Sequence, residues 1–280
     1  MTDATSPLET LYGGMTSLDR VLKTLTKDGV DVDRLQAKDL YERDLDCQNL
    51  GGHRLLVTAA NAVAEHAAPQ AGDAVIDIGC GMGGPGRYLA DRFGCSVLGV
   101  DLLPLRIEAA EALTARTGQA DRISYRVASG TELPADDGQF AQAWMLDVGI
   151  HVADKPALFA EIGRVLRPGG LLVMHDQTGP LPPAMDPATM GAPFIAPSLL
   201  DLIGLLEGAG LRLLRWQDTS REVVEFFHRT QDRLSRSSPA DAMPSPWREF
   251  VERTARAYTE TLTDLGSRTG VFIAQRTAPA

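Results

Sequence analysis

The first 70 residues carry apolar positions at the spacing of helices rather than of strands. Apolar side chains recur every three to four residues between Leu18 and Leu25 and again between Leu55 and Val63. The glycine pair Gly51-Gly52 separates the two runs and predicts a break or cap before the second helix. We therefore expect residues 1–70 to form an N-terminal helical cap.

From residue 72 onwards, short apolar runs alternate with amphipathic stretches. Strands are predicted at 74–78, 96–100, 123–128, 140–146, 171–175, 211–216 and 271–274. Helices are predicted between them at 86–92, 104–117, 155–166 and 198–209, with Arg167-Pro168-Gly169-Gly170 ending the third. Strand and helix alternating at this spacing predict βαβ units and a mostly parallel sheet with helices on both faces.

Two further amphipathic helices are predicted near the end of the chain, at 220–238 and 247–265, before the last strand. Residues 71–280 then form one α/β domain, with a helical insertion at about 218–268.

Composition and charge exclude several classes of function. Lys and Arg total 27 against 37 Asp and Glu, a formal net charge of −10, which argues against a nucleic-acid partner. The three cysteines show no CxxC spacing, so neither a disulfide framework nor a metal site is expected. The sequence shows no signal-peptide pattern and no apolar run long enough for a membrane span, so we expect a cytoplasmic protein without a membrane partner.

The turn after the first strand carries the clearest chemistry. Gly79, Gly81 and Gly84 fit the GxGxxG pattern, which suits either a dinucleotide pyrophosphate or S-adenosylmethionine. A carboxylate at Asp77 would repel a pyrophosphate and would suit a ligand that carries an ammonium and a sulfonium. Asp101, which follows 22 residues after Gly79, is placed to bind ribose hydroxyls in either case.

Three segments together resemble a known family. VIDIGCGMGGPGRYLA, GVDLLPLRIEAA and AEIGRVLRPGGLLVMHD are similar to successive motifs of class I S-adenosylmethionine-dependent methyltransferases. Among the small-molecule enzymes of that class, the chain resembles the sarcosine/dimethylglycine, phosphoethanolamine and ubiquinone-pathway methyltransferases, most strongly over residues 70–176. The resemblance implies a Rossmann-like, seven-stranded, mostly parallel sheet whose last strand is antiparallel, and S-adenosyl-L-methionine as cofactor.

The resemblance also implies a set of cofactor contacts. Asp77, Gly79 and Gly81 would surround the methionyl group, Asp101 would bind the ribose, and Leu102 would lie beside the adenine. Ser129 and Gly130 stand where the family usually has an acidic residue facing the adenine amino group, and serine can also accept that hydrogen bond. Asn49 matches a polar residue that closes over the cofactor, and Leu146 is expected to contact the cofactor as well.

Candidate catalytic residues follow the fourth strand. Asp147 and His151 are four residues apart, so they would share one face of a helical turn, and they match the family's acidic–histidine pair. A histidine that titrates near neutrality can accept a proton from an acceptor that arrives protonated. His175, Tyr12 and Tyr41 are the candidates for substrate contacts.

The resulting prediction is a methyltransferase acting on a small molecule by in-line displacement, with nitrogen or oxygen favoured as the acceptor atom. The alternatives are a C-methyltransferase acting on an apolar or aromatic metabolite, an NAD-dependent oxidoreductase, and a non-catalytic binding module on the same fold. The sequence leaves the acceptor's identity open, and it allows a homodimer.

Overall fold

The computed structural model describes residues 8, 9, 12, 17–181, 194–236, 249, 252, 253, 255, 256 and 266–277. Its helices are α1 (Leu18–Lys27), α2 (Ala37–Tyr41), α3 (Gly52–Ala67), α4 (Gly84–Phe93), α5 (Pro104–Arg116), α6 (Lys155–Val165), α7 (Leu199–Gly208) and α8 (Ser220–Arg236). Its strands are β1 (Ala74–Ile78), β2 (Ser96–Asp101), β3 (Ile123–Val127), β4 (Phe140–Leu146), β5 (Leu166–Thr178), β6 (Leu211–Asp218) and β7 (Arg268–Arg276).

Within these ranges the seven strands form one sheet in the order β3-β2-β1-β4-β5-β7-β6. Strands β1 to β5 pair in parallel, whereas β7 is antiparallel to both β5 and β6. The predicted Rossmann-like α/β fold with an antiparallel last strand is therefore confirmed.

Both faces of the sheet are covered along the central strands β1 and β4, which explains why these strands are mostly apolar rather than alternating. The edge strand β3 alternates buried and exposed positions along most of its length. Val75 points to a core shared with α3 and α4, while Ile76 packs in a second core with α6 and α7 on the opposite face. Asp77 lies near the carboxyl edge of the sheet, two positions from the start of the glycine turn.

Strand β5 begins earlier than predicted, because the Arg167-Pro168-Gly169-Gly170 segment lies inside it instead of before it. Leu166 pairs with Phe140, and the ladder resumes only with Leu171 opposite Gln142. Four residues therefore loop out of register between the two pairs, and Gly169 turns with a φ of 78°. The helix before this segment was predicted to end at residue 166, and α6 ends one residue earlier, at Val165.

The N-terminal region is helical where it is described, in α1, α2 and α3. A buried ion pair joins this region to the sheet domain, because Arg87 of α4 donates to Asp46 Oδ2 through Nη2 at 2.7 Å and through Nε at 3.2 Å. The division at residue 70 and the bounds of the insertion stay predictions.

The insertion is described mainly through α8, which matches the first of the two helices predicted there. The second predicted helix, at 247–265, lies largely outside the described residues. Among the helices that the structure describes, none combines the length and the hydropathy that a membrane span requires.

Candidate active site

A cleft of about 410 Å³ lies at the carboxyl edge of the parallel strands, where ligands bind in open α/β sheets. Its size is within the usual range for small-molecule sites. Twelve of the fourteen predicted site residues line it: Tyr12, Asn49, Asp77, Gly79, Gly81, Asp101, Leu102, Ser129, Gly130, Leu146, Asp147 and His151. Tyr41 and His175 do not.

The glycine turn forms the floor of the cleft. Gly79 and Gly81 adopt φ angles of 70° and 54°, a region that side-chain-bearing residues seldom enter. A Cβ on Gly79 would overlap the side chain of Val148. The absence of a side chain here therefore lets the turn after β1 pass beside the segment after β4.

The two acidic residues of the motif face the cleft from neighbouring strands. Asp77 is buried, and its Oδ2 has no hydrogen-bond partner among the described residues. Burial raises the pKa of Asp77 to about 7. Asp101 accepts hydrogen bonds from the Gly81 amide through Oδ2 and from the Leu103 amide through Oδ1, both at 3.0 Å.

Asn49 reaches the cleft from the cap. Its Nδ2 donates to the Gly52 carbonyl at 3.1 Å, while its buried Oδ1 lacks a partner in the described part of the chain. Ser129 also lines the cleft, and its Oγ lies 2.8 Å from Thr131 Oγ1; its contact with the adenine stays a prediction.

Asp147 joins the cap to the sheet. Its Oδ2 accepts a hydrogen bond from the Leu50 amide at 2.7 Å, and its Oδ1 lies 2.8 Å from His175 Nδ1. Its backbone is left-handed, with a φ of 59°, so Asp147 and His151 do not share a face of one helix as predicted. The short 3₁₀ turn starts only at Gly149.

His175 is a correction to the predicted substrate contacts. Its side chain is fully buried and does not line the cleft. Its Nδ1 faces Asp147 and its Nε2 lies 2.9 Å from Thr219 Oγ1. His175 therefore supports Asp147 from behind, and its full burial shields it from a ligand in the cleft.

His151 stands at the mouth of the cleft, inside an aromatic cluster. Its Nε2 lies 2.5 Å from the Tyr12 hydroxyl, and its ring centroid lies 4.7 Å from that of Phe194. Burial raises the pKa of Tyr12 above its ordinary value, so the hydroxyl stays protonated and can donate to His151. The structure thus distinguishes the two tyrosine candidates and places Tyr12 at the site.

Tyr41 is the second correction, because the packing of the cap turns it away from the cleft. Its hydroxyl donates to Asp91 Oδ2 at 3.0 Å. Its ring packs against His53 and Tyr88, with centroids 4.8 and 5.3 Å away. Tyr41 therefore anchors α2 on α4.

Four charged residues that line the cleft were not among the predicted site residues: Asp46, Arg106, Asp154 and Asp176. Asp176 accepts a hydrogen bond from the Ile150 amide at 3.0 Å, and burial raises its pKa to about 7. Only 11% of the Arg106 side chain is exposed. One sequence signal points to it, since a cation in the first turn of a helix opposes the helix dipole.

Comparisons with known proteins agree with the predicted family resemblance and with the fold. Residues 76–174 match the family model described as a methyltransferase domain. A probable tocopherol O-methyltransferase of Oryza sativa is 31% identical over 168 residues, 55% of this chain and 46% of the relative. A sarcosine/dimethylglycine N-methyltransferase of Halorhodospira halochloris is 30% identical over 190 residues, 64% of this chain and 65% of the relative.

Among solved structures, a phosphoethanolamine N-methyltransferase of Haemonchus contortus in complex with S-adenosylhomocysteine shares the fold. Its TM-score is 0.75 at 17% identity, over 99% of this chain and 61% of the other. This chain spans less than half the length of the two plant tocopherol methyltransferases that it matches. The matches confirm the predicted resemblance to methyltransferases, and residues 76–174 are similar to a methyltransferase domain.

Proposed function

We propose that this protein transfers the methyl group of S-adenosylmethionine to a nitrogen or oxygen atom of a small molecule. The observation that carries the proposal is the buried Asp77 carboxyl, with one unpartnered oxygen, beside a glycine turn that opens into the cleft. The cofactor, when bound, supplies a methyl group attached to a positively charged sulfur, which is a good leaving group because it becomes a neutral thioether once the methyl group is transferred.

The polar atoms of the cleft fit the cofactor's functional groups. Asp77 Oδ2 and Asn49 Oδ1 are acceptors without partners among the described residues, and the methionyl ammonium supplies donors. Asp101 uses one lone pair of each oxygen for the backbone, so a lone pair on each stays available for the ribose hydroxyls. The same carboxylates would repel the pyrophosphate of a dinucleotide, which disfavours the oxidoreductase alternative.

We infer that the methyl acceptor binds beside His151, where the surrounding residues hold it and accept its proton. His151 faces the cleft at the end of the 3₁₀ turn, and its Nε2 accepts a hydrogen bond from the Tyr12 hydroxyl. The proton that a hydroxyl or an ammonium group loses can pass to the Tyr12 oxygen as Tyr12 gives its own proton to the imidazole. Tyr12 and Phe194 cover the imidazole, and thereby exclude water from the reacting atoms. A nitrogen or oxygen acceptor is favoured over carbon, because a proton on nitrogen or oxygen is acidic enough for an imidazole to remove it.

Two acidic residues, Asp147 and Asp176, accept hydrogen bonds from backbone amides near His151. Asp176 holds the Ile150 amide, one residue before His151, and Asp147 holds the Leu50 amide of the cap. These two hydrogen bonds position the turn and the cap around the acceptor. Orientation of this kind is the main contribution a protein can make to a displacement with an activated leaving group.

Calorimetric titration of the full chain with S-adenosylmethionine and with S-adenosylhomocysteine tests the cofactor. We expect both to bind, Asp77→Asn to weaken both, and Asp121→Asn, at an exposed site, to change neither. Binding of NADH with no binding of either adenosyl compound would overturn the proposal.

Transfer of a radiolabelled methyl group tests the activity itself. The acceptor panel contains sarcosine, dimethylglycine and a tocopherol-type phenol, together with a small-molecule extract fractionated by polarity. We expect the label to enter a small molecule through nitrogen or oxygen. Label on carbon would favour the C-methyltransferase alternative, and tight cofactor binding without any transfer would favour a binding module.

A further inference from the structure

Arg106 is the strongest unexplained feature of the cleft. Its guanidinium makes no hydrogen bond to the described residues, and its Nε and Nη2 are both buried. The closest carboxylate oxygen, Asp101 Oδ2, lies 3.7 Å from Nη1 and already accepts a hydrogen bond from the Gly81 amide. A buried guanidinium always keeps its charge and its five donors, and leaving them unpaired is costly.

We propose that Arg106 binds the carboxylate of the cofactor's methionyl group. The inference rests on the proposed function, because it takes S-adenosylmethionine as the ligand, and it adds the residue that recognises the cofactor's one negative charge. A carboxylate is the natural partner for a guanidinium, since two parallel N–H donors match its two oxygens.

The position of Arg106 assigns it to the methionyl end. Nη1 stands 3.4 Å from where a Cβ on Gly81 would be, directly over the glycine turn. The ribose residue Asp101 lies on the same side. An anion held by Arg106 would therefore lie beside the glycine turn, which the resemblance assigns to the methionyl group.

Tyr12 separates Arg106 from the acceptor position. The guanidinium carbon lies 4.4 Å from the centroid of the Tyr12 ring, within the range of a cation–π contact. The hydroxyl of the same ring faces His151 at 2.5 Å. Arg106 thus lies on the cofactor side of Tyr12 and His151 on the acceptor side, so an anionic group of the acceptor is the less suitable partner.

The charges of the cleft complement both ends of the methionyl group. Asp77 supplies a carboxyl for the ammonium, and among the described residues that line the cleft Arg106 is the only lysine or arginine. The cofactor's carboxylate and ammonium are attached to the same carbon. Asp77 and Arg106 supply the two opposite charges that these groups require.

The test compares two ligands that differ only in the carboxylate. The full chain is titrated by calorimetry with S-adenosylhomocysteine and with its decarboxylated analogue, S-adenosyl-3-thiopropylamine. We expect the wild-type protein to bind the carboxylate-bearing ligand about 10- to 100-fold more tightly, the range for hydrogen bonds between charged groups. In Arg106→Gln the ratio should fall to within about threefold of one, through weaker binding of S-adenosylhomocysteine alone.

Two variants complete the experiment. Arg116→Gln removes the same charge from the last turn of α5, outside the cleft, and should leave the ratio at its wild-type value. Arg106→Lys keeps the charge but not the paired donors, and should give an intermediate ratio. Melting curves confirm that each variant is folded.

The outcomes separate this inference from the proposed function. Equal weakening of both ligands in Arg106→Gln, or an unchanged ratio, would overturn the role of Arg106 while the cofactor assignment stands. Failure of the wild-type protein to bind S-adenosylhomocysteine would overturn both.

Discussion

At Gly79, a single missing Cβ lets two loops approach each other. Gly79→Ala would strain a φ of 70° and force the new methyl group into Val148. We expect this variant to unfold at a lower temperature and to lose most of its affinity for S-adenosylhomocysteine. Gly72→Ala is the matched control, because Gly72 also has a positive φ, of 91°, but no atom within 4 Å of the added Cβ. Equal behaviour of the two variants would contradict the close approach.

His151 is expected to contribute to the rate rather than to cofactor affinity. Replacing it in His151→Ala removes the proposed base, so kcat should fall by about 10²- to 10⁴-fold while S-adenosylhomocysteine binds with a nearly unchanged Kd. The control is His66→Ala, at an exposed position in the last turn of α3. Steady-state kinetics with an identified acceptor and calorimetry supply the two readouts, and an unchanged kcat would remove His151 from the mechanism.

Asp77 should make cofactor binding depend on pH. Its pKa, raised by burial from 3.8 to about 7, means that the free protein holds a proton there that the unfolded chain releases. Its contribution to stability therefore falls as the pH rises from about 4 to about 7. A cationic ligand favours the ionised form, so its affinity should rise by up to about tenfold per pH unit below pH 7 and then level off.

Calorimetry between pH 5.5 and 8, in buffers with different ionisation enthalpies, measures both this slope and the proton released. Asp77→Asn should flatten the slope. Asp176→Asn is the necessary comparison, because Asp176 lines the same cleft and its pKa is also about 7. If the pH dependence survives in Asp77→Asn and disappears in Asp176→Asn, the titrating group is Asp176, and the prediction for Asp77 is wrong.

Among the elements, α4 is attached to the cap by the fully buried pair Arg87 and Asp46. Arg87 Nη1 also donates to Thr114 Oγ1 at 2.9 Å, so one guanidinium links the cap, α4 and α5. Asp46→Ala would leave a buried charge that cannot be neutralised, and we expect it to lower the free energy of unfolding by about 3–5 kcal/mol.

Arg87→Met should be less damaging, because burial already raises the pKa of Asp46 and the freed carboxyl can take up a proton. The loss of unfolding free energy in Arg87→Met should be smaller still at low pH, where Asp46 is protonated. Urea unfolding of both single variants and of the double variant gives the coupling energy of the pair. Additive effects would show that the two side chains stabilise the protein independently.

For the molecule as a whole, the predictable part of the site is the part that the strands determine. Asp77 and Asp101 end parallel strands, and such ends meet at one edge, so spacing and apolar pattern were sufficient to bring them together. Motif resemblance added Asn49 and the residues at the adenine position. All of these line the same cleft.

The unpredicted part depends on how side chains turn after the elements have packed. Arg106 leans over the glycine turn rather than toward solvent, which its position in a helix does not reveal. Tyr12 and Tyr41 are equivalent in pattern, and only the docking of α2 on α4 sends Tyr41 to Asp91. The left-handed backbone of Asp147 likewise follows from its bonds to His175 and Leu50, which are distant in sequence.

His175 connects two regions that are far apart along the chain. Through Asp147 it reaches the Leu50 amide of the cap, and through Thr219 it reaches the residue before α8. We predict that His175→Leu speeds amide hydrogen exchange at both 47–52 and 219–224, while exchange in α6 stays unchanged. Faster exchange in only one of the two segments would contradict this shared dependence.

If this holds, the buried His175 imidazole couples local unfolding of the cap loop at 47–52 to local unfolding of the first turn of α8. Each segment then opens at a free-energy cost that includes the other, and the two behave as one cooperative unit. Sequence changes that loosen the insertion should therefore alter the residence time of the cofactor, even though none of the insertion's described residues lines the cleft.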